Sequence, residues 1–189
     1  MRYTLILILA LGLVSCDGSE QGHEDDVSTV QTAEERRVEI AEMEAEIVGV
    51  VATPENQKAK ALTERLLLRY RDYISANPRD SVTAEYLFKA ADLSVGVGNP
   101  ENSITYIDRL ITDFPNFRKA AEMMLFKGFL YEVHLNNHAE AVKAYQAMIE
   151  RYPNHRLTND ARAAIDNLSL SEEELLEKLK KAEAAQNPS

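Results

Sequence analysis

From about residue 32 onward, apolar positions recur at helical spacing and are interrupted by short breaks rich in Pro, Asn and Gly. The pattern predicts helices over Thr32–Val51, Glu55–Ala76, Ser81–Val97, Glu101–Asp113, Phe117–His134, Ala139–Arg151, Leu157–Leu168 and Ser171–Ala185. In the last of these, Ser171 followed by Glu174 reads as a capping box, and the Glu-first, Lys-last order suits the helix dipole. A polar helix at that end is what a stack of hairpins needs to close its open core.

The breaks repeat. Tyr73-Ile74-Ser75-Ala76-Asn77-Pro78, Ile111-Thr112-Asp113-Phe114-Pro115-Asn116 and Ile149-Glu150-Arg151-Tyr152-Pro153-Asn154 align, with prolines 37 and then 38 residues apart. Proline cannot continue a helix, so each marks a helix end. Twelve, eight and five residues before the prolines stand Leu66, Ser103 and Ala141, then Tyr70, Ile107 and Tyr145, then Tyr73, Leu110 and Met148. Nine after the first two prolines lie Leu87 and Met124, and thirteen after lie the small residues Ala91 and Gly128, where two helices approach closely. Gly98-Asn99-Pro100-Glu101 and Asn136-Asn137-His138-Ala139 are the expected turns within repeats.

This arrangement of slots resembles the tetratricopeptide repeat over roughly Gln57 to Leu170. Pro115 to Pro153 is the better match, since the first unit carries Ser94 and Ser103 where the family prefers other residues. The resemblance implies an all-α fold of stacked antiparallel helical hairpins, an α-solenoid of about three repeats plus a capping helix. The first helix carries Ala33, Ile40 and Ile47 every seven residues, with Met43 and Val50 between. Packing against Leu62, Leu66 and Tyr70 as a first hairpin is the favoured reading, and a short oligomerising coil is the alternative.

The N-terminal residues read as an address. Met1-Arg2 is basic, and the apolar run Leu5 to Leu13 is shorter than the about 20 residues that span a bilayer. Leu13-Val14-Ser15-Cys16 resembles the lipobox of bacterial lipoproteins, which implies lipid attachment at Cys16 after cleavage behind Ser15. An ordinary secretory signal is the alternative. The expected organisation is a signal peptide over 1–15, a lipidated flexible acidic tether over 16–30, a helical domain over 31–186 and a tail over 187–189. Two acyl chains or more hold a protein stably on a membrane. Asp17 resembles an inner-membrane retention signal, the acidic cluster after it resembles a surface-export signal, and a merely solvated linker with no sorting role is the alternative. The expected site is the envelope of a Gram-negative bacterium, by preference the outer membrane facing the periplasm, with inner membrane and cell surface left open.

A formal charge of −10 with a pI near 4.9 argues against nucleic acid and against unaided adhesion to anionic lipid. Seven glycines and no tryptophan fit a helical protein better than a sandwich or barrel. One cysteine allows no internal disulfide. His134 and His138 are four apart, but Asn136-Asn137 between them reads as a turn, and His23 lies in the tether, so no metal site is expected. His155 reads as a turn residue and Glu172-Glu173-Glu174 as an acidic helix start. There is no phosphate-cradling Gly-rich loop and no nucleophile elbow, so neither a catalytic residue nor a cofactor is expected.

What remains is a surface. In a tetratricopeptide stack, residues seven, ten and fourteen after each proline face the concave groove. Here they are Glu85, Phe88 and Asp92, then Glu122, Leu125 and Phe129, with Glu132 one turn on. Apolar groups flanked by acids suit a peptide or helix with hydrophobic anchors and basic edges. The alternative is that Phe88, Leu125 and Phe129 pack against the neighbouring hairpin. A lipobox followed by helical repeats resembles the tetratricopeptide lipoprotein of the outer-membrane β-barrel assembly machinery. The heptad over Ala33–Val50 resembles the coil that precedes the repeats in the periplasmic protein associated with Tol–Pal. Both resemblances imply a protein-interaction adaptor. A structural or oligomerising lipoprotein and a small-ligand-binding lipoprotein are the other expectations.

Overall fold

A computed structural model describes residues 31–48 and 57–170, together with Glu174, Glu177, Lys180 and Lys181, which are helical. Cys16, the tether and the Ser171 end of the expected capping box lie outside the described residues. The described chain is a succession of helices: α1 (Ala33–Val48), α2 (Gln57–Ala76), α3 (Ser81–Gly96), α4 (Pro100–Asp113), α5 (Ala120–Phe129) with a π turn at Leu130–His134, α6 (His138–Arg151) and α7 (Thr158–Leu168). Among the described residues there is no strand, and no helix is long and apolar enough to cross a membrane.

Helix starts follow local chemistry. Thr32 and Glu35 form a reciprocal capping box on α1: the Glu35 N–H donates to Thr32 Oγ1 at 3.2 Å, and the Thr32 N–H donates to Glu35 Oε2 at 2.7 Å. The Thr32 N–H, and then the Thr32 hydroxyl donating to the same Oε2, hold the Glu35 carboxyl below its usual value. Asp80, Asn99 and Asn137 cap α3, α4 and α6 through their side-chain oxygens. Pro100 occupies the first turn of α4, where its missing N–H costs nothing.

The three proline turns share one hydrogen-bond pattern. The carbonyl before each proline (Asn77, Phe114, Tyr152) accepts from the N–H two after it (Asp80, Phe117, His155). The carbonyls of Asp80, Phe117 and His155 then accept from Thr83, Ala120 and Thr158. Asp80 caps from its slot, so α3 begins at Ser81. Phe117 holds the equivalent place without a side-chain oxygen, so α5 begins at Ala120, three residues later than its sequence suggests.

The hairpins stack in two layers. First helices join to first helices: Lys89 of α3 pairs with Glu44 of α1 at 2.8 Å, and Arg118, entering α5, pairs with Glu85 of α3 at 2.8 Å. Second helices join to second helices: Arg109 of α4 donates to the Ile74 carbonyl of α2, and Arg151 of α6 to that of Ile111 in α4. Between the layers lies one core, in which Ile40, Leu66, Tyr70, Leu87, Ile107, Leu110, Leu130 and Met148 are fully covered. A large apolar side chain removed from water in this way contributes about 1.5–3 kcal/mol. Every slot that the proline alignment picks out is buried, from Leu66, Ser103 and Ala141 to Ala91 and Gly128. The first helix packs as a hairpin arm, with Ile40 and Met43 in the core and Ala33 and Ile47 against it.

The spacings of 37 and 38 have a structural cause. Gly98 and Asn136 end the first helices of the middle and last hairpins with left-handed backbones, φ 82° and 49°. Directly after them, the Asn99 N–H reaches back to the Ser94 carbonyl, and the Asn137 N–H reaches one residue further, to Tyr131. The extra residue of the second repeat is absorbed by the π turn, as single insertions in helices are.

Candidate partner-binding face

The first-helix layer carries the seven residues that sequence spacing aims at a groove, and the structure gives them unlike roles. Glu85 takes Arg118 in a two-oxygen contact at 2.8 and 3.0 Å. Glu122 lies 3.8 Å from Arg156 and 4.0 Å from His155. These are the same pair one repeat apart: the acid stands seven after a proline and the arginine three after the next. Exposed pairs of this kind contribute about 0–1 kcal/mol each, so the ladder sets register more than stability.

Glu132 is occupied as well. It accepts from the Tyr145 hydroxyl at 2.7 Å, as Glu44 accepts from Tyr70 at 2.7 Å in the first hairpin. Burial, then the bond to the carboxylate, pushes the phenols of Tyr70 and Tyr145 well above their ordinary value. In the middle hairpin the same two places hold Val95 and Ile107. The polar pair is replaced there as a unit by an apolar one, which leaves neither partner orphaned. Of the four acids, Asp92 is the one left exposed without a partner among the described residues.

The apolar members also divide. Phe88 is half-buried, lies 6.1 Å from the Phe117 ring, and carries the Lys119 ammonium 4.4 Å above its face. Leu125 is half-buried against the core. Phe129 is 41% exposed, stacks on Phe126 at 6.1 Å and meets the His134 ring edge-on at 5.7 Å. Val133, one turn along in the π turn, is 58% exposed. On α5 and its π turn the open apolar side chains are therefore Phe129 and Val133, which stand where the helix widens. Spacing placed Phe129 on this surface but not Val133, Phe126 or Lys119. The one extra residue between Pro115 and Pro153 was the available signal that the local helix departs from regularity.

His134 and His138 fall on opposite sides of the turn through Leu135–Asn137. No group of three or more His, Cys, Asp or Glu among the described residues is placed to hold a metal ion.

Residues 124–155 match the tetratricopeptide repeat family model. The match runs from the buried Met124 through α6 to the proline turn at Pro153, the unit whose slots fit best by spacing. No curated protein matches the chain. The described residues form a helical repeat fold, and one segment of it matches the tetratricopeptide repeat, a module that generally mediates contacts between proteins.

Proposed function

We propose that the chain is a membrane-anchored envelope lipoprotein, held by lipid on Cys16, that acts as a protein–protein interaction adaptor in outer-membrane assembly or envelope maintenance. The observation that carries the interaction reading is the exposed Phe129–Val133 patch on the first-helix layer of a tetratricopeptide unit. An aromatic anchor beside an aliphatic side chain offers the apolar centre around which binding energy concentrates. Because Glu85 and Glu132 are hydrogen-bonded within the chain and Glu122 lies beside Arg156 and His155, the partner is selected by its apolar side chains more than by basic edges. The role needs no catalytic group, and the partner is another envelope protein or peptide.

The test is capture of a C-terminally tagged full-length chain from mildly solubilised envelopes, with Phe129→Ala and Cys16→Ala in parallel. The expected result is a defined partner with the parent chain, at least tenfold less of it with Phe129→Ala, and release of the Cys16→Ala chain from the membrane fraction. Equal recovery with parent and Phe129→Ala at unchanged helicity contradicts the adaptor surface. Membrane retention of Cys16→Ala contradicts the anchor.

A further inference from the structure

We infer that the outer edge of the first hairpin, α1 with α2, pairs with the same edge of a second copy of this chain about a two-fold axis. The observation is a segregation of charge by helix. α1 carries six glutamates against two arginines, whereas α2 carries five lysines and arginines against two acids, in a chain that is strongly acidic as a whole.

The faces are fixed by what each helix already touches. α1 faces α3 through Glu44, and at helical spacing Glu35, Glu42 and Glu46 lie on its opposite side, all exposed. α2 faces the start of α4 through Leu67, which lines a small pocket with Asn99 and Asn102 that Leu68 borders from the flank. Lys58 and Arg65 lie opposite Leu67 and are also exposed. An acidic strip and a basic strip thus run side by side along the end of the stack. Glu39 of α1 and Arg69 of α2 bond across the seam between them. Glu42, Glu46, Lys58 and Arg65 have no partner among the described residues.

Such an edge is self-complementary for one orientation. A two-fold axis parallel to the hairpin lays each α1 over the other copy's α2, antiparallel, and puts acid on base twice. An axis across the hairpin puts acid on acid and base on base. Counting along the antiparallel helices from the Glu39–Arg69 bond brings Glu42 level with Arg65, and Glu46 about one turn from Lys58. The same axis brings Val38, 50% exposed, over Leu68, 45% exposed, of the second copy, supplying apolar contact at the flank. Exposed ion pairs are screened by salt, so the association weakens as ionic strength rises.

The test uses the full chain in mild detergent with Cys16→Ser, so that introduced cysteines are the only thiols. Light scattering is expected to give twice the monomer mass for this chain, the monomer for Arg65→Glu, and the dimer again for Glu42→Arg with Arg65→Glu. Val38→Cys with Leu68→Cys is expected to be captured as a dimer by a short bismaleimide, and each single cysteine is not. A monomer throughout, a series of masses beyond the dimer, or dimerisation that survives Arg65→Glu overturns the inference. Circular dichroism establishes that the surface variants keep the parent helicity.

Discussion

Replacing Gly128 by Ala is expected to destabilise the helical domain by about 2 kcal/mol or more. A Cβ at that position would stand 2.3 Å from the Tyr145 ring, far inside contact distance. The ring has nowhere to go, since it is buried and its hydroxyl is held by Glu132. Helix propensity alone favours Ala over Gly by about 1 kcal/mol, so a solvent-facing site would gain from the change. Overpacking a filled core costs about 1–3 kcal/mol and occasionally more, and an overlap this deep belongs at the upper end. The middle hairpin shows the remedy, with Ala91, Val95 and Ile107 at the places of Gly128, Glu132 and Tyr145. Gly128→Ala combined with Glu132→Val and Tyr145→Ile is therefore expected to recover most of the loss. Thermal melting followed by circular dichroism reads both results, and a triple variant no more stable than Gly128→Ala contradicts the equivalence of the repeats.

Asp80→Ala is expected to cost about 1–3 kcal/mol, because one carboxylate does two jobs. Oδ1 caps α3 by accepting the Val82 N–H at 3.0 Å, and Oδ2 accepts the Tyr73 hydroxyl at 2.7 Å. Loss of an N-cap costs about 1 kcal/mol, and stranding a buried hydroxyl costs about 1–3 kcal/mol. Tyr73 is covered in the folded chain but Asp80 is only partly buried, so water entering the space left by the carboxylate offsets part of the second loss. Asp80→Asn, which keeps an acceptor for the cap, is expected to lose less. The Val82 N–H and then the Tyr73 hydroxyl hold the Asp80 carboxyl below its ordinary value of 3.8. A carboxyl depressed by folding contributes stability above its ordinary pKa and loses it as pH falls through the lower folded value. The gap between parent and Asp80→Asn is thus greatest near neutral pH and closes in acid below the ordinary value. Burial, and then the same bond, pushes the Tyr73 phenol up to about 12. Its contribution is present below the ordinary tyrosine value of 10.0 and fades as pH rises towards 12. Urea titrations across pH check both limbs.

These two residues also show what spacing alone conveys. Tyr73 and Gly128 declare themselves by distance from a proline, because a stack of like hairpins must bury like slots. Helix existence and repeat register were legible for the same reason, and α5 strayed at its start where Phe117 lacks the capping oxygen that Asp80 supplies. The candidate face was legible only as a set of positions. Whether Glu85, Glu122 and Glu132 are open depends on Arg118, Arg156 and Tyr145, which reach them from the next turn or the facing helix. Such pairings are three-dimensional, and only the recurrence of Glu and Arg at fixed offsets from the prolines hints at them. The π turn that carries Val133 hid behind a single added residue.

The most direct test of the interaction reading is site-specific photo-crosslinking of the tagged chain in intact cells. A photoreactive residue would be placed at Phe129, and at Gln146 on the exposed side of α6 as the comparison. One discrete adduct from position 129, absent from position 146, is the predicted result. No adduct at 129, or the same adducts from both positions, would contradict a partner seated on the first-helix face.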